Sequence, residues 1–185
     1  MKKKITEEQY QKLEDEVWEA FLSNASPIEV YHSLITSNFD DNDYLLNWIL
    51  TNPKVDKAIA LTAYWMSEPY YSKQFLDRQD CLNKESWHVE AFDYIEALEH
   101  NYCNGFYEIS NLQCDPGNVE IDQETDWTQL NPTNMKPIRN IPNQMFEKLK
   151  GKPVPPVDYY AYTEGLPNIY YDKIDAIFEE YEIEY

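Results

Sequence analysis

The sequence predicts a mainly α-helical protein, a bundle of short helices around one central apolar helix. Helix-start signals recur through the first hundred residues, each followed by apolar residues at helical spacing. One segment, 58–66, is apolar nearly all round, which is typical of a helix in the middle of a domain. Eight of the eleven prolines follow residue 115, so the C-terminal half is predicted to be irregular, with one short hairpin and a terminal helix.

The length of 185 residues suits one domain with its own core. We therefore expect a single domain over residues 1–185. Within it, residues 1–105 form the helical body, 106–166 an irregular segment wrapped on that body, and 167–185 the last helix with an acidic tail.

The first three helices have recognisable beginnings. Thr6-Glu7-Glu8-Gln9 is a capping box, and helical spacing continues from it to about Asn24. Ser26-Pro27 opens a second helix, with proline in the first turn, where its missing N–H costs nothing. Either Asp40 or Asp41 can cap a third helix, which carries Leu45 and Trp48.

Asn52-Pro53 is predicted to start the fourth helix, which contains the central apolar segment. This helix ends at Glu68-Pro69, because a residue that precedes proline is disfavoured in the α region. Ser86 is predicted to cap a long helix that Gly105 stops. The later segments are predicted as one or two strands (Phe106–Ile109, Asn118–Ile121), a short helix over 142–150, an extended stretch over 151–156, and a last helix after Gly165-Leu166-Pro167.

The net charge of −19 arises from 34 acidic and 15 basic residues along the whole chain. Such a field repels nucleic acid and anionic membranes and speeds association with basic proteins. The charge is explained either by solubility or by a surface that binds a cationic partner. The sequence predicts a cytoplasmic protein. It has three cysteines without a CxxC pair, no apolar run of about 18 residues and no signal-peptide pattern.

Motifs for catalysis and for cofactor binding are recognised by the spacing of their residues. Neither GxGxxG, GxxxxGK[ST] nor GxSxG occurs. Residues 40–43 lack the glycine and final glutamate of a calcium loop, and His100, Cys103 and Cys114 supply only one of the two ligand pairs usual for zinc. We expect no cofactor, no metal and no catalytic residues, although folding could still join a histidine to a serine or cysteine.

An acidic and tyrosine-rich tail is the candidate partner-binding region. Acids at the C-terminal end of a helix oppose its dipole, so we do not expect them to serve local stability. Carboxylates can instead receive Arg or Lys of a partner, with tyrosine as contact area; a frayed, soluble tail is the alternative. The predicted partner-binding residues are Asp40, Asp41, Asp43, Glu179, Glu180, Tyr181, Glu182, Glu184 and Tyr185.

Part of the chain resembles a bacterial family of unknown function, DUF4274. The resemblance is carried by His32, Asn38-Phe39-Asp40-Asp41, Trp48-Ile49, Pro53, Asp56-Lys57, Ala60-Leu61, Tyr64-Trp65 and Pro69-Tyr70-Tyr71, with Gly105-Phe106-Tyr107 and Ile141-Pro142 further on. The chain departs from the family pattern at Phe39, Asn42, Val55 and Ala58-Ile59, where the family has Trp, Gly, Cys and Gly-Thr. The resemblance implies no known activity.

The family positions are interpreted as structural. We expect Asp40, Asp41 and Asp56 to accept backbone N–H groups at helix starts, and Trp48, Leu61 and Trp65 to be core residues. Pro69 is expected to break the central helix. His32 is expected to hydrogen-bond one of the aspartates. The competing interpretation is a ligand pocket around His32, Asp40 and Asp56.

Three functional hypotheses follow. The first is a non-catalytic cytoplasmic immunity or inhibitor protein, which neutralises a basic protein such as a cognate toxin by occluding it. The second is a small enzyme or metabolite-binding domain with the His32/Asp40/Asp56 pocket. The third is a structural or adaptor protein. None of the three involves nucleic acid or a membrane, and the oligomeric state is left open.

Overall fold

The computed structural model describes residues 2–39, 42–118, 126–129, 131 and 136–184. The fold is mainly α-helical, as predicted. The chain divides into two compact units, which we call unit one (residues 1–46 and 157–185) and unit two (residues 47–156). The single-domain organisation stays a prediction. In the described part of the chain, every helix is too short or too polar to cross a membrane.

The described elements comprise eight α-helices and four short strands. The helices are α1 (Glu7–Leu22), α2 (Pro27–Ile35), α3 (Asp43–Thr51), α4 (Lys57–Met66), α5 (Pro69–Ser72), α6 (Arg78–Lys84), α7 (Val89–Cys103) and α8 (Asn168–Glu180). The strands are β1 (Lys3–Thr6), β2 (Tyr162–Thr163), β3 (Leu166–Pro167) and β4 (Tyr181–Glu184).

Unit one is built on helices α1, α2 and α8. The predicted capping boxes are both present: Thr6 with Gln9 begins α1, and Ser26 with Glu29 begins α2. Helix α1 packs on α8, where the rings of Phe21 and Tyr170 lie 5.3 Å apart. The apolar residues whose spacing predicts these helices therefore also form the face that each helix buries.

A short antiparallel hairpin, β2–β3, precedes α8. Its turn is Glu164-Gly165, and both residues have positive φ (47° and 82°), as a type I′ turn requires. A Cβ on Gly165 would lie 2.1 Å from the hydroxyl of Ser37. Asn42 donates to that same hydroxyl at 2.9 Å. The hairpin is thus fitted tightly against the end of α2.

Strand β1 pairs in parallel with β4, in the register Lys3↔Tyr181 to Thr6↔Glu184. The sequence did not indicate either strand. Each has only four residues and continues directly into or out of a helix, so the helical pattern masks both. The acidic tail is therefore a strand over the residues described, and the alternative of a frayed tail is wrong for Tyr181–Glu184.

Unit two surrounds helix α4, which is the predicted central helix. All residues from Ala58 to Trp65 are buried. Helix α7 packs against it with Ile95 and Leu98, both fully buried. Met145 closes the core and accepts a hydrogen bond at its carbonyl from the Trp65 indole at 2.8 Å.

Several boundaries differ from the sequence predictions. Phe106–Ile109 is not a strand; only Ile109 pairs, through an isolated bridge with Asp56. Asn118 ends a 3₁₀ turn that begins at Pro116, and the rest of the second predicted strand lies outside the described residues. The predicted helix over 142–150 is one 3₁₀ turn, Asn143–Phe146.

The central helix and the long helix also begin later than predicted. Helix α4 starts at Lys57, with Asp56 as its cap, and not at Asn52-Pro53. A 3₁₀ turn at Ser86–His88 precedes α7, which starts at Val89. Gly105, with φ of 77°, follows the end of this helix as predicted.

Candidate functional site

The predicted partner-binding residues of the tail lie on or beside strand β4. Glu179, Glu180, Glu182 and Glu184 are exposed, and Tyr181 is half-buried. Asp43 is exposed in the first turn of α3. Asp40, Asp41 and Tyr185 lie outside the described residues.

Two of the tail carboxylates are paired with lysines of β1. The ammonium group of Lys3 lies 2.5 Å from Glu180, and that of Lys4 lies 3.0 Å from Glu184. Hydrogen bonds to these carboxylates raise the pKa of both lysines. Glu180 and Glu184 thus have local partners, since each forms an exposed ion pair with a lysine of β1.

The acidic charge is concentrated in unit one. Its 75 residues contain 18 acidic and 5 basic side chains, a balance of −13, whereas unit two has 16 acidic and 10 basic, a balance of −6. Three of the five cations of unit one are Lys2, Lys3 and Lys4 in or beside β1. The rest of unit one is therefore strongly negative.

A surface across α1 and α8 combines these acids with tyrosines. Tyr10 and Glu14 stand one turn apart on α1, and Tyr171 and Asp175 stand one turn apart on α8. Burial, followed by the charges of Glu14 and Asp175, raises the pKa of Tyr10 to about 12. Helices α1 and α8 pack on each other, which brings the two tyrosine–acid pairs close enough for their charges to act on one another.

The surface extends along α1 toward the start of α3. Tyr44 stacks on Trp18 with ring centroids 6.5 Å apart, and burial, Glu19 and Asp15 raise its pKa. Burial also raises the pKa of Glu14, and Asp15 adds to the shift. We call this surface the acidic tyrosine face: Tyr10, Glu14, Asp15, Glu19, Tyr44, Glu164, Tyr171 and Asp175.

The acidic tyrosine face has the chemistry of a binding surface for cations. The main charges acting on its tyrosines are carboxylates, so the local potential is negative. Tyrosine offers rigid contact area with a polar tip. Sequence reasoning missed this face, although Tyr10–Glu14 and Tyr171–Asp175 share the four-residue spacing that puts side chains on one side of a helix.

Asp56 has the structural role that its sequence context predicts. It is buried and caps α4, where one carboxylate oxygen accepts from the Ala58 N–H at 3.0 Å. The other oxygen accepts from the N–H groups of Asn111 and Leu112 at 2.7 and 3.3 Å. Both oxygens are therefore engaged by backbone.

The other family positions divide between core and surface. Leu61 and Trp65 are fully buried as predicted, and Pro69 is buried in the first turn of α5, whereas Trp48 is only half-buried. His32, in unit one, is half-buried, with its ring edge-to-face with that of Tyr162 at 6.1 Å. The predicted hydrogen bond from His32 to Asp40 or Asp41 lies outside the described residues.

Sequence reasoning also missed a buried ion network in unit two. Lys73 is almost completely buried and donates to Glu96 and Glu99 at 2.8 and 2.9 Å. Arg139 pairs with the second oxygen of Glu96 at 2.7 Å, and the Tyr64 hydroxyl donates to Glu99 at 2.6 Å. The three-residue spacing of the two glutamates on α7 was the available signal.

The ion network of Lys73, Glu96, Glu99 and Arg139 attaches the segment 136–139 to the helices of unit two. Burial opposes ionisation of Glu96, but hydrogen bonds from Arg139 and Lys73 outweigh it and lower its pKa. Arg139 also donates to the carbonyl oxygens of Phe75 and Ser72 at 2.7 and 3.0 Å. Two cations meet two carboxylates around the buried Lys73, so the charges are matched and the network is structural in character.

Folding does join a histidine to a serine. The ring Nε2 of His88 lies 2.9 Å from the Ser72 hydroxyl, a distance that a nucleophile and its base would have. However, Ser72 is 0% exposed, so a substrate cannot reach it. Burial lowers the pKa of His88, whose ring packs 4.5 Å from that of Tyr71. This arrangement is that of a neutral core histidine with a satisfied hydrogen bond.

The cysteines have local partners of their own. Cys114 is buried against the Thr62 hydroxyl at 3.6 Å, and Cys103 lies 3.9 Å from the sulfur of Met145. Burial raises the pKa of Cys114 to about 12. Within the described residues, no group of three His, Cys, Asp or Glu side chains is arranged to hold a metal ion.

Comparison with protein families identifies one match. Residues 26–103 match the family model described as Domain of unknown function (DUF4274). The resemblance inferred from the sequence is therefore confirmed over this segment, which includes His32, Asp56 and Trp65. The comparisons with curated proteins and with solved structures gave no match.

Proposed function

We propose that this protein, whose residues 26–103 match the DUF4274 family model, is a non-catalytic cytoplasmic immunity or inhibitor protein that binds and occludes a basic partner, such as a cognate toxin. The single observation that carries the proposal is the balance of −13 on the 75 residues of unit one. A basic protein would be attracted to this unit at long range, and its lysines and arginines would meet carboxylates at short range.

The acidic tyrosine face is the proposed contact surface, together with Asp43 and the tail residues on β4. Burial of tyrosine against a partner supplies apolar area, and the carboxylates around it select cationic side chains. Toxins that act on nucleic acids commonly have basic clefts, because their substrate is a polyanion. An acidic surface with aromatic contacts is complementary to such a cleft.

The first experiment measures capture of a partner from the native host. The immobilised full chain is compared with Glu19→Lys/Asp175→Lys, which reverses two exposed charges of the acidic tyrosine face. Glu90→Lys/Glu108→Lys is the matched control, since it makes the same change in net charge at exposed positions of unit two. We expect the first variant to lose a basic partner by about tenfold or more, and the control to retain it.

Salt dependence and growth complete the test. Association should be fastest at low ionic strength, because the attraction is screened at higher salt. The captured protein is then expressed with and without this chain, and rescue of growth identifies an inhibitor. The proposal is contradicted if the immobilised chain captures no basic protein, or if binding does not depend on salt. It is also contradicted if both variants lose the partner equally.

The alternative function is an enzyme or metabolite-binding domain with a pocket that includes His32, Asp40 and Asp56. His32→Ala discriminates between the two, since it should abolish ligand binding in a folded protein only if the pocket exists. In the inhibitor proposal His32→Ala leaves partner binding intact. A structural or adaptor role is the third proposal, and the growth experiment separates it from inhibition.

A further inference from the structure

The acidic strand β4 already carries a basic strand of the same chain. Lys2 donates to the carbonyl oxygen of Phe178 at 2.7 Å, and its ammonium lies 4.7 Å above the Phe178 ring. Lys3 pairs with Glu180 and lies 5.6 Å from the centroid of the Tyr181 ring. Each lysine therefore has an anionic or aromatic partner on the segment that it covers.

The backbone register extends this recognition beyond charge. The strands are parallel, and Ile5 lies opposite Ile183, both half-buried. Successive side chains of a strand point to opposite faces, so Lys3 and Lys4 reach Glu180 and Glu184 from different sides of the pair. The segment 178–184 thus recognises successive lysines followed by an apolar residue.

The pairing of β1 with β4 is weak enough for another strand to replace β1. The two salt bridges join side chains that remain more than half exposed, and such pairs are weak and screened by salt. A two-stranded ribbon is only marginally stable by itself. Release of β1 leaves the Thr6–Gln9 capping box in place, because its hydrogen bonds lie within residues 6–9.

We propose that β4 is a docking strand for an extended basic segment of the protein partner, and that Lys2–Ile5 occupy it in cis until that segment displaces them. The incoming segment adds to β4 by backbone pairing, with lysine or arginine at successive positions and an apolar residue opposite Ile183. This inference rests on the proposed function, since it names the chemistry of the partner and the contact that regulates its access.

The test uses the full chain and a labelled pentapeptide, Lys-Lys-Lys-Ile-Thr, which copies residues 2–6. Lys3→Glu/Lys4→Glu repels β1 from the acids of β4. Lys12→Glu/Lys173→Glu is the matched control: each Lys→Glu change contributes −2, so both variants go from −19 to −23. Fluorescence anisotropy measures binding of the peptide at low salt, and circular dichroism verifies that both variants are folded.

We expect the β1 variant to bind the peptide about tenfold more tightly than the control, because binding is weakened by the fraction of molecules in which the site is already occupied. Glu180→Gln/Glu184→Gln added to the β1 variant should remove the gain. Should charge reversal unfold the protein, Lys3→Ser/Lys4→Ser is compared with Lys12→Ser/Lys173→Ser.

Equal affinity of the peptide for the β1 variant and the control overturns the inference. This failure is distinguishable from failure of the proposed function. A partner that binds with salt dependence but equally well to both variants supports the inhibitor proposal and refutes strand displacement. A gain in peptide binding without any captured host protein supports the docking strand and contradicts the inhibitor proposal.

Discussion

Substitution of Asp56 by alanine tests the interpretation of unit two most directly. The carboxylate caps α4 and accepts three backbone N–H groups, those of Ala58, Asn111 and Leu112. Loss of a cap costs about 1 kcal/mol, and a hydrogen bond to a charged group contributes about 1.5–3 kcal/mol. Relief from burying a charge offsets part of this, so we expect Asp56→Ala to lower the free energy of unfolding by about 3 kcal/mol.

The matched control is Asp77→Ala, which removes an exposed cap from α6, where Asp77 accepts from the Asp80 N–H at 2.8 Å. Asp77→Ala is expected to lower the free energy of unfolding by about 1 kcal/mol or less. Urea unfolding, followed by circular dichroism and tryptophan fluorescence, measures both. If Asp56→Ala costs no more than Asp77→Ala, the role assigned to the buried carboxylate is wrong.

Three further predictions concern stability. Lys73→Met leaves Glu99 without a cation and Glu96 with Arg139 alone, and should lower the free energy of unfolding by about 3–5 kcal/mol. Arg78→Ala, at an exposed salt bridge, should lower it by no more than about 1 kcal/mol; urea unfolding measures both. Burial lowers the pKa of His88 below 6.5, so the unfolded chain protonates first. The free energy of unfolding should therefore fall as the pH drops below 6.5, and it should fall less steeply in the variant His88→Gln. Gly165→Ala, where a Cβ would meet a hydroxyl at 2.1 Å, should lower the melting temperature more than Gly105→Ala, where nothing lies within 4 Å.

The longer helices of this protein could be predicted because their signals are local, whereas the short helix α6 was predicted as a polar loop. The capping boxes at Thr6 and Ser26 and the all-round apolar α4 are read within a few residues. Strand β1 could not be predicted in this way, since its partner β4 lies more than 170 residues later and neither strand alternates over a long enough run. A pairing between distant segments leaves no trace in local spacing.

The candidate site was only partly predictable for the same reason. The tail acids stand out by their number, but the lysines that neutralise two of them are at the other end of the sequence. Lys73 was overlooked because a single lysine in an aromatic stretch carries no pattern, and its partners come from α7. Asp56 was assigned correctly because a cap acts within its own helix.

Unit one is assembled from two separate stretches of the chain, 1–46 and 157–185, whereas unit two is one continuous stretch. During translation, residues 47–156 emerge together and can begin to fold while the ribosome is still at work. Helix α1 cannot pack on α8, nor β1 pair with β4, until residues 168–184 have been synthesised. Of the two units, the more acidic one is therefore completed later, and its pairing of distant segments predicts that it folds more slowly.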